Sequence, residues 1–212
     1  MTRKKKAALS RQGVIDAALE EFSNHGYQGA SLNRVCQEKN ISKGKIYHYF
    51  RGKDELYLVC VEECFDRLTA YLEVLPETGE LEIDKRLQIY FDARLNFFAE
   101  NPIYLGVFLD VIFNTPDHLK DKIVKIRRDF DTLNLKVFKS MLNQAPLRED
   151  LNIDGIVEFL KMYMNFFNMS FKDVLSSDLS REEALKLHEE RSHRQLNFML
   201  YGILERGDSL GK

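Results

Sequence analysis

Apolar residues recur along this 212-residue chain at helical spacing, and no run of alternating apolar and polar residues sustains a β-strand. Four prolines and eleven glycines are the main breakers of this pattern. A first helix is predicted over residues 10–24, where the buried stripe consists of Ile15, Ala18, Leu19 and Phe22. The spacing therefore predicts an all-α protein.

Two more short helices are predicted near the amino end, because the residues between them favour specific turns. Gly26 can end the first helix, since a left-handed backbone costs glycine little. Ser31 is expected to cap the second helix, and Asn40 suits the left-handed position of the next tight turn. Ser42 is the expected N-cap of a third helix over residues 42–50.

The third helix has the features that a helix needs to lie in the major groove of DNA. Ile41 and Ile46 are spaced as a hydrophobic staple, which would fix the angle at which the chain enters the helix. Its outward face combines a small residue for close approach with possible donors, namely Gly44, Lys43, Lys45, Tyr47 and His48. The Ser31 hydroxyl and nearby backbone N–H groups could meet another phosphate. Alternatively, the lysines form a solvated face and the tyrosines are packing residues.

Charge is distributed unevenly, although the whole chain carries a net charge of only -2. Residues 1–60 contain eleven basic and six acidic residues, a net +5, whereas the other 152 contain 20 basic and 27 acidic residues, a net -7. Such an asymmetry indicates a nucleic-acid-binding end, although a chance fluctuation of surface charge would look the same if taken alone.

The stretch over residues 14–56 resembles the N-terminal domain of tetracycline-repressor-type (TetR) transcriptional regulators. The matching positions are Ile15-Asp-Ala-Ala18, Phe22, Gly26-Tyr27, Ser31, Val35, Ile41-Ser42, Gly44, Ile46-Tyr47, Tyr49-Phe50, Lys53 and Leu56. The chain departs from the family pattern at Lys45, where a small hydroxyl residue is common, and at Cys36, where alanine is usual.

The resemblance implies a helix-turn-helix DNA-binding domain over residues 1–52 and a ligand-sensing, dimerising helical domain over residues 53–212. Residues 1–9, which include Lys4–Lys6, would form a flexible basic arm along a groove, or only a solubilising tip. The DNA contacts that it implies are Ser31, Lys43, Gly44, Lys45, Tyr47, His48, Tyr49 and Lys53.

The implied function is a cytoplasmic, ligand-responsive DNA-binding regulator of transcription. In this family it is most often a repressor that a small-molecule effector releases from a palindromic operator. A homodimer would place two reading helices about one duplex turn apart, roughly 34 Å.

The rest of the chain is predicted to be helical over residues 53–75, 82–99, 103–114, 116–143, 153–176 and 181–206. Pro116 is expected at the first position of its helix. Ser180-Arg-Glu-Glu183 reads as a capping box for the last helix.

The helix over residues 153–176 is apolar on nearly every side, so every side of it must be covered. A second stripe on the last helix consists of Leu196, Met199, Leu200, Ile203 and Leu204. The centre of a single-chain bundle could cover the first helix, and so could a partner subunit. Our hypothesis is a two-fold dimer in which the helices over 153–176 and 181–206 pair with their copies as a four-helix bundle.

A candidate effector pocket is rich in aromatic residues, and its lining is predicted as Tyr90, Arg94, Phe97, Tyr104, Phe108, Phe130, Met162 and Phe166. Arg94 could anchor an anionic ligand, or it could be a surface arginine paired with an acid. The aromatic residues could equally be plain core.

Other functional classes have little support in the sequence. There is no phosphate loop, Gly-rich dinucleotide turn, His-Glu-x-x-His or paired Glu-x-x-His, so we expect no enzyme, no catalytic residue, no metal and no cofactor. Three cysteines make an odd count without a disulfide framework, which suits a reducing cytoplasm. No apolar run is long enough to span a membrane. The remaining alternative is a helical protein–protein adaptor that does not bind DNA.

Overall fold

Helices account for the fold throughout the residues that the structure, a computed structural model, describes: 3–76, 79, 81–145, 147–171 and 179–203. They are α1 (Arg3–Gly29), α2 (Leu32–Glu38), α3 (Lys43–Tyr49), α4 (Lys53–Glu73), α5 (Ile83–Glu100), α6 (Pro102–Asn114), α7 (Lys120–Leu142), α8 (Ile153–Phe171) and α9 (Arg181–Ile203). A 3₁₀ turn, Asp117–Leu119, precedes α7. The predicted all-α class is confirmed. In these ranges, no helix combines the length and apolar character needed to cross a membrane.

The chain divides into two compact units. The first contains Met1–Leu68 and Phe98–Arg128, and the second contains Thr69–Phe97 and Asp129–Lys212. The boundaries fall within α4, α5 and α7, not after residue 52. The two units are defined by compactness, whereas the predicted domains are defined by DNA binding and by ligand sensing. The functional boundary at residues 52–53 therefore stays a prediction.

In the first unit, α1 packs against α2, α3 and α6 around a core of large apolar side chains. The predicted stripe of α1 is buried, with Phe22 only 1% exposed. The rings of Phe22 and Tyr27 each meet Tyr57 edge-on, with 5.0 Å between centroids. Gly106 of α6 lies directly against the backbone of Ser23 in α1, so the two helices approach closely there.

Two predicted features of the chain's helices are corrected. Residues 3–9 are the first turns of α1, not a flexible arm, because nothing in this Lys- and Ala-rich segment interrupts a helix. Pro116 lies before the 3₁₀ turn with extended ψ of 132°, and Pro102 is the proline that occupies a first helical turn. The predicted stretches 172–176 and 204–206 lie outside the described residues.

Candidate functional site

The local signals that shape α3 are present as the sequence predicts. Asn40 has a left-handed backbone with φ of 50°, which allows the tight turn after α2. The Ser42 hydroxyl accepts a hydrogen bond from the Lys45 N–H at 3.2 Å, which caps α3. Ile46 is fully buried and Phe50 is 2% exposed, so the inner face of α3 is held against the first unit.

The outer face of α3 is open to solvent. Lys43, Gly44 and His48 are exposed, and the Tyr47 side chain is 52% exposed. A Cβ atom on Gly44 would meet no atom within 4 Å, so another molecule can approach the backbone there. Lys45 is half-buried at the edge of this surface. We call Lys43, Gly44, Lys45, Tyr47 and His48 the α3 face.

Two of the residues that the resemblance assigned to DNA contact also have partners within the first unit. The Tyr49 hydroxyl donates to the Ala7 carbonyl at 3.3 Å, and its ring lies 4.7 Å from that of His48. The Lys53 Nζ lies 4.6 Å from the centre of the Tyr27 ring and 3.4 Å from the Gln28 carbonyl. Burial lowers the pKa of Lys53, although nearby carboxylates such as Asp54 oppose this. Both side chains are half-buried beside the α3 face.

The start of α2 differs from the prediction at Ser31. Its backbone N–H donates to Glu21 Oε1 at 2.7 Å, and its hydroxyl makes no capping bond. Burial alone would raise the pKa of Glu21, but hydrogen bonds from Arg34 and Ser31 and the charge of His25 hold it below its usual value. The Glu21 carboxylate therefore takes the backbone N–H of Ser31, while the Ser31 hydroxyl stays a candidate phosphate contact.

A buried polar network joins α6 to α1 and α4. Asp110 accepts a hydrogen bond from the Tyr57 hydroxyl at 2.7 Å and from the Tyr27 N–H at 2.8 Å. Burial raises the pKa of Asp110, although these two hydrogen bonds act against the rise. Gly26 has the predicted left-handed φ of 62°, and a Cβ there would lie 2.7 Å from an Asp110 oxygen. Asp110 thus fixes the end of α1 relative to α6.

Comparison with known proteins matches the same region to a family. Residues 14–60 match the family described as bacterial regulatory proteins, tetR family. The HTH-type transcriptional repressor AcnR of Corynebacterium diphtheriae is 24% identical over 162 residues, 76% of this chain and 80% of that protein. The biofilm operon icaADBC negative transcriptional regulator IcaR of Staphylococcus aureus is 28% identical over 135 residues, 64% of this chain and 70% of that protein.

The amino-terminal part of the chain, residues 14–60, is thus TetR-like.

Solved structures of transcriptional regulators, one of them named as a TetR family protein, share the fold of this chain. A regulator from Chloroflexus aurantiacus has a TM-score of 0.58 at 19% identity and covers 94% of this chain and 95% of its own. FadR from Bacillus subtilis, solved in complex with stearoyl-CoA, has a TM-score of 0.60 at 15% identity, with coverage of 88% and 97%. At such identities the likeness speaks for the fold alone.

The eight residues that were predicted to line an effector pocket are divided between the two compact units and the surface of α8. Tyr104 and Phe108 belong to the first unit, where the Tyr104 hydroxyl donates to Glu63 and Phe108 packs on Phe65 and Phe98. Tyr90, Phe97 and Phe130 are buried in the second unit. For Tyr104 and Phe108, the described structure does not support the prediction of a shared pocket. The Tyr104 hydroxyl and the Phe108 ring already contact residues of the first unit.

Met162 and Phe166 are on the surface of α8, with exposed fractions of 61% and 68%. Within a single chain these two side chains therefore do not join the buried residues of the predicted lining, and their role in ligand binding stays a prediction. Helical periodicity placed them among the apolar residues of α8, but it could not distinguish the side that this chain covers from the side that it leaves open.

Arg94 was predicted as an anion anchor or as a surface arginine paired with an acid. It is instead buried, 5% exposed, and its Nη2 lies 3.0 Å from Glu189 Oε1. Its guanidinium carbon lies 5.7 Å from the ring centres of both Phe91 and Phe130. Of the two alternatives, the arginine paired with an acid is the one that the structure supports, although the Arg94–Glu189 pair is buried and not on the surface.

A cavity in the second unit contains a different arginine. About 300 Å³ of space lies between the end of α4, the start of α5 and the end of α7, and Arg86 and Tyr90 are among its lining residues. Of the eight predicted ligand residues, only Tyr90 lines it. Sequence reasoning missed Arg86; its one signal was a position four residues before Tyr90, which places both on one face of α5.

Proposed function

We propose that this chain is a ligand-responsive DNA-binding repressor that acts in the cytoplasm as a homodimer. The observation that carries the proposal is the α3 face, which is exposed on a helix whose other side is rigidly buried. Relatives named as a transcriptional repressor and as a negative transcriptional regulator support it. The adaptor alternative has no comparable support.

The α3 face suggests how contacts with DNA are divided. Lys43 and Tyr47 extend from the exposed side, where a cation and a hydroxyl can reach phosphates and set the orientation of the helix. His48 projects from the same side and can reach a base edge, which is the kind of contact that reads sequence. Gly44 allows the backbone of α3 to approach the duplex.

Substitutions on α3 test this division. Tyr47→Phe removes one phosphate donor, so we expect about fivefold weaker binding to all duplexes alike. His48→Ala should lower the preference for the selected operator by about 1–3 kcal/mol with little effect on random DNA. Fluorescence anisotropy with an operator selected from a random pool measures both, and Tyr71→Phe in α4 is the control. Unchanged DNA affinity in both α3 variants would remove α3 as the reading helix.

Titration of random duplex DNA at several salt concentrations distinguishes a DNA-binding repressor from a protein–protein adaptor. For a repressor that neutralises phosphates, log affinity should fall linearly with log salt concentration. The slope should be about -0.9 for each phosphate contacted. An adaptor would show no salt-dependent binding.

The proposed dimer would cover the exposed apolar row on α8 and its neighbour α9. Ile156, Leu160 and Phe167 of α8 are buried within the chain. The opposite side is open, with large exposed residues at Phe159, Met162, Phe166, Phe198 and Tyr201. Exposed apolar patches of this kind mark interaction sites, and a two-fold axis would place the same row of one subunit on that of the other. The side chains of Met169, Phe171, Ile203 and Leu204 lie outside the described set.

Charge on this row should break the dimer. We expect the wild-type chain, of 24.8 kDa, to scatter light as a two-chain species at micromolar concentration, and Phe166→Glu/Phe198→Glu to scatter as a monomer. The matched control is Val124→Glu, because Val124 is also 60% exposed but lies on α7. A monomeric wild-type chain, or a doubly substituted chain that stays dimeric, argues against this interface.

Induction follows if the effector fits only one spacing of the two reading helices. A ligand shifts such an equilibrium only through its different affinity for the two states. Effector binding in the second unit would then lower operator affinity by stabilising the spacing that does not match the palindrome.

A further inference from the structure

The cavity of the second unit is apolar at its base and polar at its rim. Leu72, Tyr90, Leu133 and Met141 are buried among its lining residues, which also include half-buried Ile89 and Val137. Exposed Lys136, Ser140 and Gln144 lie at the rim. About 300 Å³ is at the small end of the range for ligand pockets. This volume and this lining suit an occupant with a short apolar body and one polar head.

Arg86 supplies the charge in this cavity. It is 7% exposed, and its Nη1 donates to the Gln144 side-chain oxygen at 2.7 Å. Its Nε is buried and has no hydrogen-bond partner within the part of the chain that the structure describes. Among the described residues, Arg86 forms no ion pair. A buried cation satisfied only by a neutral amide is an expensive arrangement unless an anion joins it.

Arg94, two helical turns further along α5, shows the contrast. It is buried to a similar extent but faces Glu189 at 3.0 Å, within the same unit. The same helix thus carries one neutralised arginine in the core and one without an acid that lines a cavity.

We propose that this cavity binds a monocarboxylate with a short apolar body, and that this compound is the effector; the second half of the statement rests on the proposed function. A guanidinium can meet the two oxygens of a carboxylate with a pair of its N–H groups, and Arg86 has N–H groups beyond the one on Nη1 that donates to Gln144. Lys136 adds a second positive charge at the rim, and Glu73 is the one acid in the described lining. The described part of the lining therefore carries a net positive charge, and the apolar body lies on Tyr90, Leu133 and Met141.

Calorimetry with octanoate as the probe tests the site, with octanol as the neutral control for its chain. The full-length chain should bind octanoate more tightly than octanol. Arg86→Met should weaken octanoate binding by about 30-fold or more and leave octanol unchanged, because only the charged head loses its partner. Arg67→Met, at a surface arginine of the first unit, should change neither. Equal binding of the two probes, or octanoate binding that survives in Arg86→Met, overturns the site.

A second measurement needs no ligand. If Arg86 is an anchor awaiting an anion, Arg86→Met should keep or raise the melting temperature of the free chain, because it removes a buried, uncompensated charge. A clear fall in melting temperature makes Arg86 a structural residue and overturns the proposal.

The site and the proposed function can fail separately. Octanoate that binds through Arg86 but leaves operator affinity unchanged contradicts its role as the effector. A chain that binds operator but not octanoate keeps the DNA function and loses the carboxylate site.

Discussion

Gly106→Ala is expected to lower the melting temperature of the first unit by roughly 10 °C, equivalent to about 3 kcal/mol. A Cβ atom on Gly106 would lie 2.1 Å from the Ser23 carbonyl oxygen and 2.6 Å from the Ser23 hydroxyl. The nearest atom belongs to the backbone of α1, so no side-chain rotation can relieve the overlap. The helices must separate, which loosens the packing around Phe22 and Tyr57. Calorimetry measures the loss of stability.

Gly13→Ala is the matched control, because Gly13 is exposed on α1 and a Cβ there meets nothing within 4 Å. Gly13→Ala should raise the free energy of unfolding by about 0.5–1 kcal/mol, because alanine lowers the conformational entropy of the unfolded chain. A Gly106→Ala chain as stable as wild type would mean that α1 and α6 do not approach as closely as described.

The fold of the amino end could be predicted because its signals are local. Asn40 occupies the left-handed turn, Ser42 caps α3, and Gly26 has positive φ, each within a few residues of the feature that it controls. The capping box is also present, with the Ser180 N–H donating to Glu183 at 2.8 Å and the Glu183 N–H to Ser180 at 3.2 Å. A cap needs only its own helix, so sequence spacing is enough to identify it.

Long-range contacts could not be predicted in this way. Gly106 carries no sequence signal of its contact with Ser23, which is far from it along the chain. Glu21 reads as an ordinary acid on α1, yet it holds the N–H of Ser31 and the side chain of Arg34. In each case the partner is set by how helices pack, and periodicity gives only the face on which a residue lies.

The same limit applied to the effector region. Arg94 and Arg86 have similar apolar neighbours along α5, and nothing nearby in sequence shows that Glu189, on α9, neutralises only the first. The sequence could therefore indicate that a buried arginine was possible on α5, but not which one faces a cavity.

Arg94→Met is expected to destabilise the second unit by about 3–5 kcal/mol, because it leaves the Glu189 carboxylate buried without its cation. Glu189 is 1% exposed, and its Oε2 already lacks a hydrogen-bond partner among the described residues. Urea unfolding followed by circular dichroism measures the change. Arg67→Met is the control, since the Arg67–Glu63 pair is largely exposed on the arginine side and should contribute less than about 1 kcal/mol.

The double variant Arg94→Met/Glu189→Leu should recover most of that loss, because an apolar pair avoids the desolvation of two charges.

The pH dependence of stability tests the same ion pair independently. Burial would raise the pKa of Glu189, but the charge of Arg94 and the hydrogen bond from His188 keep it below its ordinary 4.5. The stabilisation from the pair is therefore complete above the unfolded-state pKa and is lost as pH falls through the lower folded-state value. Wild type should lose stability over this acidic range more steeply than the double variant, and equal slopes would show that the Arg94–Glu189 pair is not ionised in the folded chain.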